Sequence, residues 1–229
     1  MKSLILDLTP PIVLRWYNNF HGRQSRFSKR NNLALRSFPI EFEVLDFSYI
    51  DRSFNFDLMW GWWSRIYEYP LVLDQLNKLG WNQNSSVHNT CWGSQGCHIL
   101  FKDKLEERTS FVINSDINPS RVENTTVLDL RKNPPQEWRN HFDFVLNVST
   151  LEEIRFPHVV IFENLLAMVK PGGYLIATFD LPGLDLKMFE ELFKCKIKQV
   201  QERVNGQNSP YQMSQFGQLE VGFMVVKKL

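Results

Sequence analysis

The chain has 229 residues, 43% of them hydrophobic and 14% aromatic, which is enough apolar material for one packed domain with an extension. Its formal net charge of +1 gives no overall bias toward nucleic acid or acidic surfaces. Three cysteines, Cys91, Cys97 and Cys195, cannot all pair, so a reducing compartment is favoured over a disulfide framework. With no run of about 18 apolar residues and no signal peptide, we expect a cytoplasmic protein without a membrane span.

The first 32 residues are basic and amphipathic. Aromatic and aliphatic anchors accompany six cations and one acid, Asp7; the cations are Lys2, Arg15, Arg23, Arg26, Lys29 and Arg30. Such a stretch fits the anionic inner face of a membrane or a protein partner, and the alternative is an arm that packs on its own domain. We predict a basic, aromatic arm with a helical extension over residues 1–60 and the main domain over residues 61–229.

An aromatic-rich segment follows, from Phe42 to Pro70. Its tryptophans and tyrosines are either core beneath a helix or the wall of a pocket. The next residues, Leu71 to Leu79, predict a helix that ends at Gly80.

From Ser85 onward, short apolar runs alternate with helical stretches. This alternation predicts βαβ units, a mostly parallel sheet and helices on both of its faces. The last two apolar runs, KCKIKQV and LEVGFMVVKKL, have no helix between them and are predicted to form an antiparallel pair.

Ligands of such sheets bind beyond the carboxyl ends of the strands. The first strand ends in VHNTCWGSQG, a glycine-containing loop, and the second and third end at Asp116 and near Asp129. An acid after the second strand can accept hydrogen bonds from both hydroxyls of a ribose. The fourth strand, FDFVLNV, brings Asn147 and Ser149 to the same edge.

These ordered features resemble the class I S-adenosylmethionine-dependent methyltransferases. The resemblance runs from Tyr67 to the C-terminus and rests on four features: the glycine loop, Asp116, the Asp129-Leu130 pair, and the block FDFVLNVSTLEEI followed by MVKPGGYLIATF. It implies a Rossmann-like α/β fold with a seven-stranded, mostly parallel sheet and an antiparallel last strand. It also implies S-adenosylmethionine as the cofactor and methyl transfer as the activity.

The resemblance implies roles for individual residues after the later strands. Asp116 would hold the ribose hydroxyls and Ile117 would cover the adenine. Asp129 would meet the adenine amino group, with the Leu130 backbone beside it, and Asn147 would lie below the methionine moiety. For each acid, the alternative is a helix cap or a loop carboxylate.

The glycine loop departs from the family pattern Asp-x-Gly-x-Gly-x-Gly. The resemblance brings Cys91, Trp92 and Gly93 close to the methionine and ribose of the cofactor, but Asn89 replaces the acid and Cys91 the first glycine. Losing one charge-assisted contact weakens binding by roughly 1.5–3 kcal/mol, or about one to two decades. Cys91 also adopts a positive φ less readily than glycine. We therefore expect weakened but usable cofactor binding.

A second resemblance concerns the segments TPPIVLRWYNNF and SRIYEYPLVL. They look like segments of methyltransferases encoded with bacterial surface-glycan enzymes, which implies that Arg65, Tyr67 and Glu68 border the cofactor or acceptor. The acceptor is accordingly expected to be a small molecule or a glycan, methylated on oxygen.

No catalytic residue is assigned from the sequence. The titratable groups expected around the rim are His88, His98, His158, Glu152 and Glu153, and for any one histidine a buried or capping role is the alternative.

Other functions are weighed against the enzyme. A catalytically inactive methyltransferase-like domain with an interaction or structural role is the main alternative, and a nicotinamide-binding site has only the Gly93-x-x-Gly96 portion of its motif. No zinc-type second ligand pair accompanies Cys91, Cys97 and His98, so no metal site is predicted. The Asn133-Pro-Pro-Gln stretch lacks the aromatic ring of DNA adenine methyltransferases, and no nucleic-acid groove is predicted.

Overall fold

A computed structural model describes residues 38–49, 57–60, 64–93, 96–118, 125–181, 183–194 and 220–229. The described residues form seven strands: β1 Phe42–Tyr49, β2 Ser86–Thr90, β3 Phe111–Asp116, β4 Thr125–Val127, β5 Phe142–Val148, β6 Val169–Leu181 and β7 Glu220–Lys228. They also form four α-helices: α1 Arg65–Lys78, α2 Cys97–Arg108, α3 His158–Met168 and α4 Leu186–Phe193. None of the helices in these ranges has the length and apolar character needed to cross a membrane.

All seven strands belong to one sheet, in the order β1-β7-β6-β5-β2-β3-β4. The five strands from β6 to β4 run parallel, whereas β7 runs antiparallel to both of its neighbours. The predicted seven-stranded, mostly parallel sheet with an antiparallel last strand is therefore confirmed.

The partner of the last strand differs from the prediction. β7 lies between β6 and β1, with Phe42 opposite Lys228 and Tyr49 opposite Gly222. The run KCKIKQV, predicted to pair with it, lies outside the described residues except for Lys194. The edge is instead closed by a strand from the aromatic-rich segment, whose alternating exposed and half-buried side chains suit an edge position. The domain division at residue 60 stays a prediction. The basic arm lies outside the described residues, and its role at a membrane or a protein partner also stays a prediction.

Helices cover both faces of the sheet, as the sequence predicts. On one face, α1 and α2 bury apolar side chains at helical spacing: Ile66, Val72, Leu76, Phe101 and Leu105. On the other face, α3 and α4 bury Val159, Phe162, Leu165 and Phe189. Trp60, Tyr67 and Tyr69 belong to the first of these cores. For these three aromatic residues, the core interpretation is confirmed.

Helix α1 begins at Arg65, earlier than the predicted Leu71, although Pro70 lies inside it. Pro70 cannot donate to the carbonyl of Ile66, but that carbonyl accepts a hydrogen bond from the Asp57 backbone N–H at 3.0 Å. The predicted end is confirmed, because Gly80 has a φ of +85° just beyond the helix.

A buried lysine fastens the end of α3 to the C-terminal strand. Lys228 is 7% exposed, and its Nζ donates to Asn140 Oδ1 at 2.7 Å, Leu166 O at 2.9 Å and Val169 O at 2.8 Å. A cation beside the last carbonyls of a helix is favoured by the helix dipole as well as by these hydrogen bonds.

We predict that Lys228→Met lowers the free energy of unfolding by about 1–3 kcal/mol, because two buried carbonyls lose their charged donor. Denaturant unfolding followed by circular dichroism measures the change, and Lys227→Met on the same strand is the matched control. Equal stabilities of the two variants would contradict a structural role for Lys228.

Candidate functional site

The loop after β2 is held in a left-handed conformation. Cys91 has a φ of +55° and Gly93 a φ of +78°. For a non-glycine residue this region is unfavourable by roughly 1–2 kcal/mol. Cys91 therefore holds a backbone conformation that glycine adopts without strain, and the loop keeps its turn at the expense of local strain.

Two backbone donors connect this loop to the end of β3. Trp92 N donates to Ser115 O at 3.3 Å, and Gly93 N donates to Asp116 Oδ2 at 3.3 Å. The other carboxylate oxygen of Asp116 accepts from Asn118 N at 2.9 Å. Asp116 is thus oriented beside the loop by a hydrogen bond to each of its oxygens. Ile117, predicted to cover the adenine, is 46% exposed next to it.

The thiol of Cys91 lies close to both predicted acids. Burial, together with the negative charges of Asp116 and Asp129, raises its pKa to about 12. The thiol therefore stays protonated at neutral pH. The structure brings together Cys91, Gly93, Asp116 and Asp129, which are separated by up to 38 positions in the sequence.

Asp129 has a partner that the sequence reading missed. Arg131 Nε and Nη2 donate to its two oxygens at 2.7 and 2.9 Å, and this pairing lowers the pKa of the Asp129 carboxyl. The arginine is largely solvated, and exposed ion pairs of this kind are weak enough for a ligand's amino group to compete with them. The neighbouring Leu130 is buried, and its carbonyl accepts from Asn164 Nδ2 at 2.8 Å.

Asn89 takes part in a polar network that runs away from the loop. Its Nδ2 donates to Asn114 Oδ1 at 3.0 Å, and Asn114 Nδ2 donates to Glu106 Oε1 on α2 at 3.1 Å. Asn89 is 2% exposed, so its amide joins β2 to β3 and to α2. A cross-strand partner 25 positions away could not be identified from the loop motif.

Asn147 carries an unsatisfied acceptor. It is fully buried, its Nδ2 donates to Thr90 Oγ1 at 3.0 Å, and its Oδ1 has no hydrogen-bond partner within the described part of the chain. Buried amide oxygens nearly always have a donor, and an unpaired one is unfavourable by about 1–3 kcal/mol. A ligand that brings an N–H group to this oxygen would satisfy it.

A second cluster links α1 to the loop and to β6. Arg65 forms an ion pair with the buried Glu68, which also accepts from Thr178 Oγ1 at 2.7 Å. The hydroxyl of Tyr69 is hydrogen-bonded to Nδ1 of His98 at the start of α2. The structure thus places Arg65 and Glu68 near the loop. It also places Tyr69 there, for which the sequence predicted no role beyond core or pocket wall.

A pair of carboxyl groups lies where β5 and β6 end. Glu152 Oε1 accepts from Asp180 N at 2.7 Å and from Ser149 Oγ at 3.3 Å. Burial raises the pKa of Glu152 well above its usual value, and the neighbouring charges of Asp180 and Glu68 add to the rise. Glu153, by contrast, is exposed.

Two of the candidate histidines, His88 and His158, are hydrogen-bonded within the fold. His88 is wholly buried against Trp138 and Phe142, with Nε2 2.8 Å from Ser115 Oγ, and burial lowers its pKa to about 3. The expectation that it lines the rim is wrong, because the side chains of β2 alternate and His88 points into the core. His158 accepts from Asp185 N at 3.2 Å, and burial lowers its pKa to about 4.

The described residues contain no group of three or more His, Cys, Asp or Glu side chains arranged to hold a metal ion. The specific ligand contacts predicted for the loop, the two acids and Asn147 stay predictions.

Neither a protein-family model nor a curated protein matches the chain, whereas solved structures match it in fold. One is the N-methyltransferase NodS from Bradyrhizobium japonicum with S-adenosyl-L-homocysteine: TM-score 0.44, 15% identity, 69% of this chain and 86% of that chain. Another is the trans-methyltransferase CalH with S-adenosylhomocysteine: TM-score 0.43, 14% identity, 70% of this chain and 55% of that chain.

A third is a SAM-dependent methyltransferase from Aquifex aeolicus: TM-score 0.39, 15% identity, 67% of this chain and 88% of that chain. For CalH and three other matched structures, the similar region covers 52–59% of the other chain. These likenesses concern the fold and carry no argument about activity.

We predict that Gly93→Ala destabilises the protein by about 1–3 kcal/mol more than Gly80→Ala does. The two glycines have similar φ values, but an alanine Cβ at 93 would lie 2.8 Å from His98 Cδ2, whereas the site at 80 is open. Thermal or denaturant unfolding measures both variants. In a His98→Ala background the difference should largely vanish, and its persistence would show that the ring is not the obstacle.

We predict that Glu152→Gln becomes stabilising relative to the native chain as the pH rises above about 4.3, the unfolded-state pKa of glutamate. Because the folded-state pKa is raised, the native protein binds more protons than the unfolded chain in this window, and its stability falls with increasing pH. Glutamine does not titrate, so the variant does not undergo this loss of stability with increasing pH. Unfolding curves from pH 4 to 8 test this, with Glu153→Gln as the control; parallel stability profiles for all three proteins would contradict the prediction.

Proposed function

We propose that the chain is an S-adenosylmethionine-dependent methyltransferase that acts on a small-molecule or glycan-type acceptor, on oxygen. The observation that carries the proposal is the convergence of the strained loop, Asp116 and Asp129 at the carboxyl edge of a mostly parallel sheet. Ligands of such sheets bind at this edge.

The residues present fit the cofactor. Asp116 offers an oriented carboxylate for the ribose hydroxyls. Asp129 offers a carboxylate for the adenine amino group when its hydrogen bonds to Arg131 are broken. The unsatisfied Oδ1 of Asn147 accepts the ammonium group of the methionine moiety. Each contact pairs a donor of the cofactor with an acceptor of the chain.

When bound, S-adenosylmethionine supplies a methyl carbon that its sulfonium already activates, so positioning of the acceptor accounts for much of the rate. The carboxyl pair of Glu152 and Asp180 lies at the ends of β5 and β6, the first and second strands on one side of β2. We assign to this pair the acceptance of the hydroxyl proton, since a carboxyl with a raised pKa works closer to neutral pH.

A second candidate function is that of a catalytically inactive, methyltransferase-like interaction domain. Two observations favour it: Asn89 is engaged with Asn114, and Cys91 holds a conformation better suited to glycine. Transfer of labelled methyl groups from the cofactor into any cell fraction, lost in an Asp116 variant, would exclude this candidate.

We predict that Asp116→Ala weakens binding of S-adenosylhomocysteine about tenfold to a hundredfold, because charge-assisted hydrogen bonds to the ribose are lost. Isothermal calorimetry measures the affinity. Asp103→Ala is the matched control, since that aspartate is 50% exposed on α2 and away from the loop. Absence of binding to the native chain, or equal affinities for all three proteins, would contradict the proposed function.

A further inference from the structure

The ring of His98 lies directly against the glycine loop. A Cβ placed on Gly93 would come within 2.8 Å of its Cδ2 and 3.0 Å of its Nε2. The edge of the ring that carries Nε2 therefore faces the loop, from the side of α2. Nε2 has no hydrogen-bond partner among the described residues.

Tyr69 fixes the orientation of this ring and its tautomer. The tyrosine is 3% exposed and stacks on Phe101 with ring centroids 4.1 Å apart, while its hydroxyl is hydrogen-bonded to Nδ1 of His98. Burial raises the pKa of the phenol, which therefore keeps its proton, and Nδ1 of His98 is the acceptor that the described residues offer to this hydroxyl. The hydroxyl donates to Nδ1, and Nε2 of the imidazole carries the ring hydrogen.

The surroundings favour an anion at this Nε2–H donor. Burial, together with the positive charge of Arg65, lowers the pKa of His98 to about 4, so the ring is a neutral donor at neutral pH. The groups whose charges bear on the ring and its neighbours are Arg65, Tyr69, Cys97 and Glu68, and Glu68 is already paired with Arg65.

On the proposed function, the other polar groups of the cofactor have partners elsewhere. Asp116 and Asp129 serve the ribose and the adenine, and Asn147 serves the ammonium group. The carboxylate is the one anionic group of the cofactor, and it requires donors. We propose that Nε2 of His98 donates a hydrogen bond to the carboxylate of the S-adenosyl cofactor, and that Tyr69 is the positioning residue for this contact.

The test compares two ligands by calorimetry: S-adenosylhomocysteine and an analogue in which hydrogen replaces its carboxylate. His98→Ala should weaken binding of the first about tenfold to a hundredfold and leave binding of the second unchanged. His98→Gln, whose amide can reach a similar position, should recover part of the loss, and Tyr69→Phe should show a smaller, ligand-selective loss. His141→Ala, at the opposite edge of the sheet, should change neither affinity.

The outcomes separate this inference from the proposed function. If the native chain binds neither ligand, both the function and the inference are overturned. If it binds S-adenosylhomocysteine but His98→Ala and His98→Gln weaken both ligands equally, or neither, the assignment of His98 is overturned and the function stands. Circular dichroism of each variant verifies that it is folded.

Discussion

The position of β2 between β3 and β5 is the constraint on which the candidate site depends. Its residues pair in parallel with β3 on one side and with β5 on the other, with Asn89 opposite Asn114 and Thr90 opposite Asn147. Parallel strands in register end at one edge, about 4.8 Å apart. The loop at Cys91 and the side chain of Asp116 therefore lie side by side, although the sequence of neither segment alone indicates this proximity.

Much of the fold follows from local pattern, because the period of apolar residues distinguishes strands from helices. Strands β2 to β6 and the helices on both faces were predictable in this way, and the resemblance implied the antiparallel last strand. The edge strand β1 was not. Phe42–Tyr49 is aromatic-rich and precedes the first helix, and its place beside β7 is determined by pairing across more than 170 residues. The run KCKIKQV has an equally strand-like composition, so composition alone could not choose between them.

The candidate site, like the fold, was only partly predictable from local sequence. Acids that follow directly on a strand, such as Asp116, have their place fixed by the strand itself, and the structure puts them at the expected edge. The partners that determine what those groups can do come from elsewhere: Arg131 for Asp129, Asn114 for Asn89, and Tyr69 for His98. Asn89 and Cys91 look like losses in the loop motif. In the structure, Asn89 is hydrogen-bonded to Asn114, which contacts α2, and Cys91 has a positive φ that glycine adopts readily.

The central claim is that a cofactor binds where this loop meets Asp116. Hydrogen–deuterium exchange of the full chain with and without S-adenosylhomocysteine tests the claim by location, because bound ligand slows exchange of the amides that it covers or rigidifies. We expect slower exchange in residues 90–98 and 114–118, and unchanged exchange at residues 139–143 on the opposite edge of the sheet. Slower exchange confined to other segments, or none at saturating ligand, would contradict it.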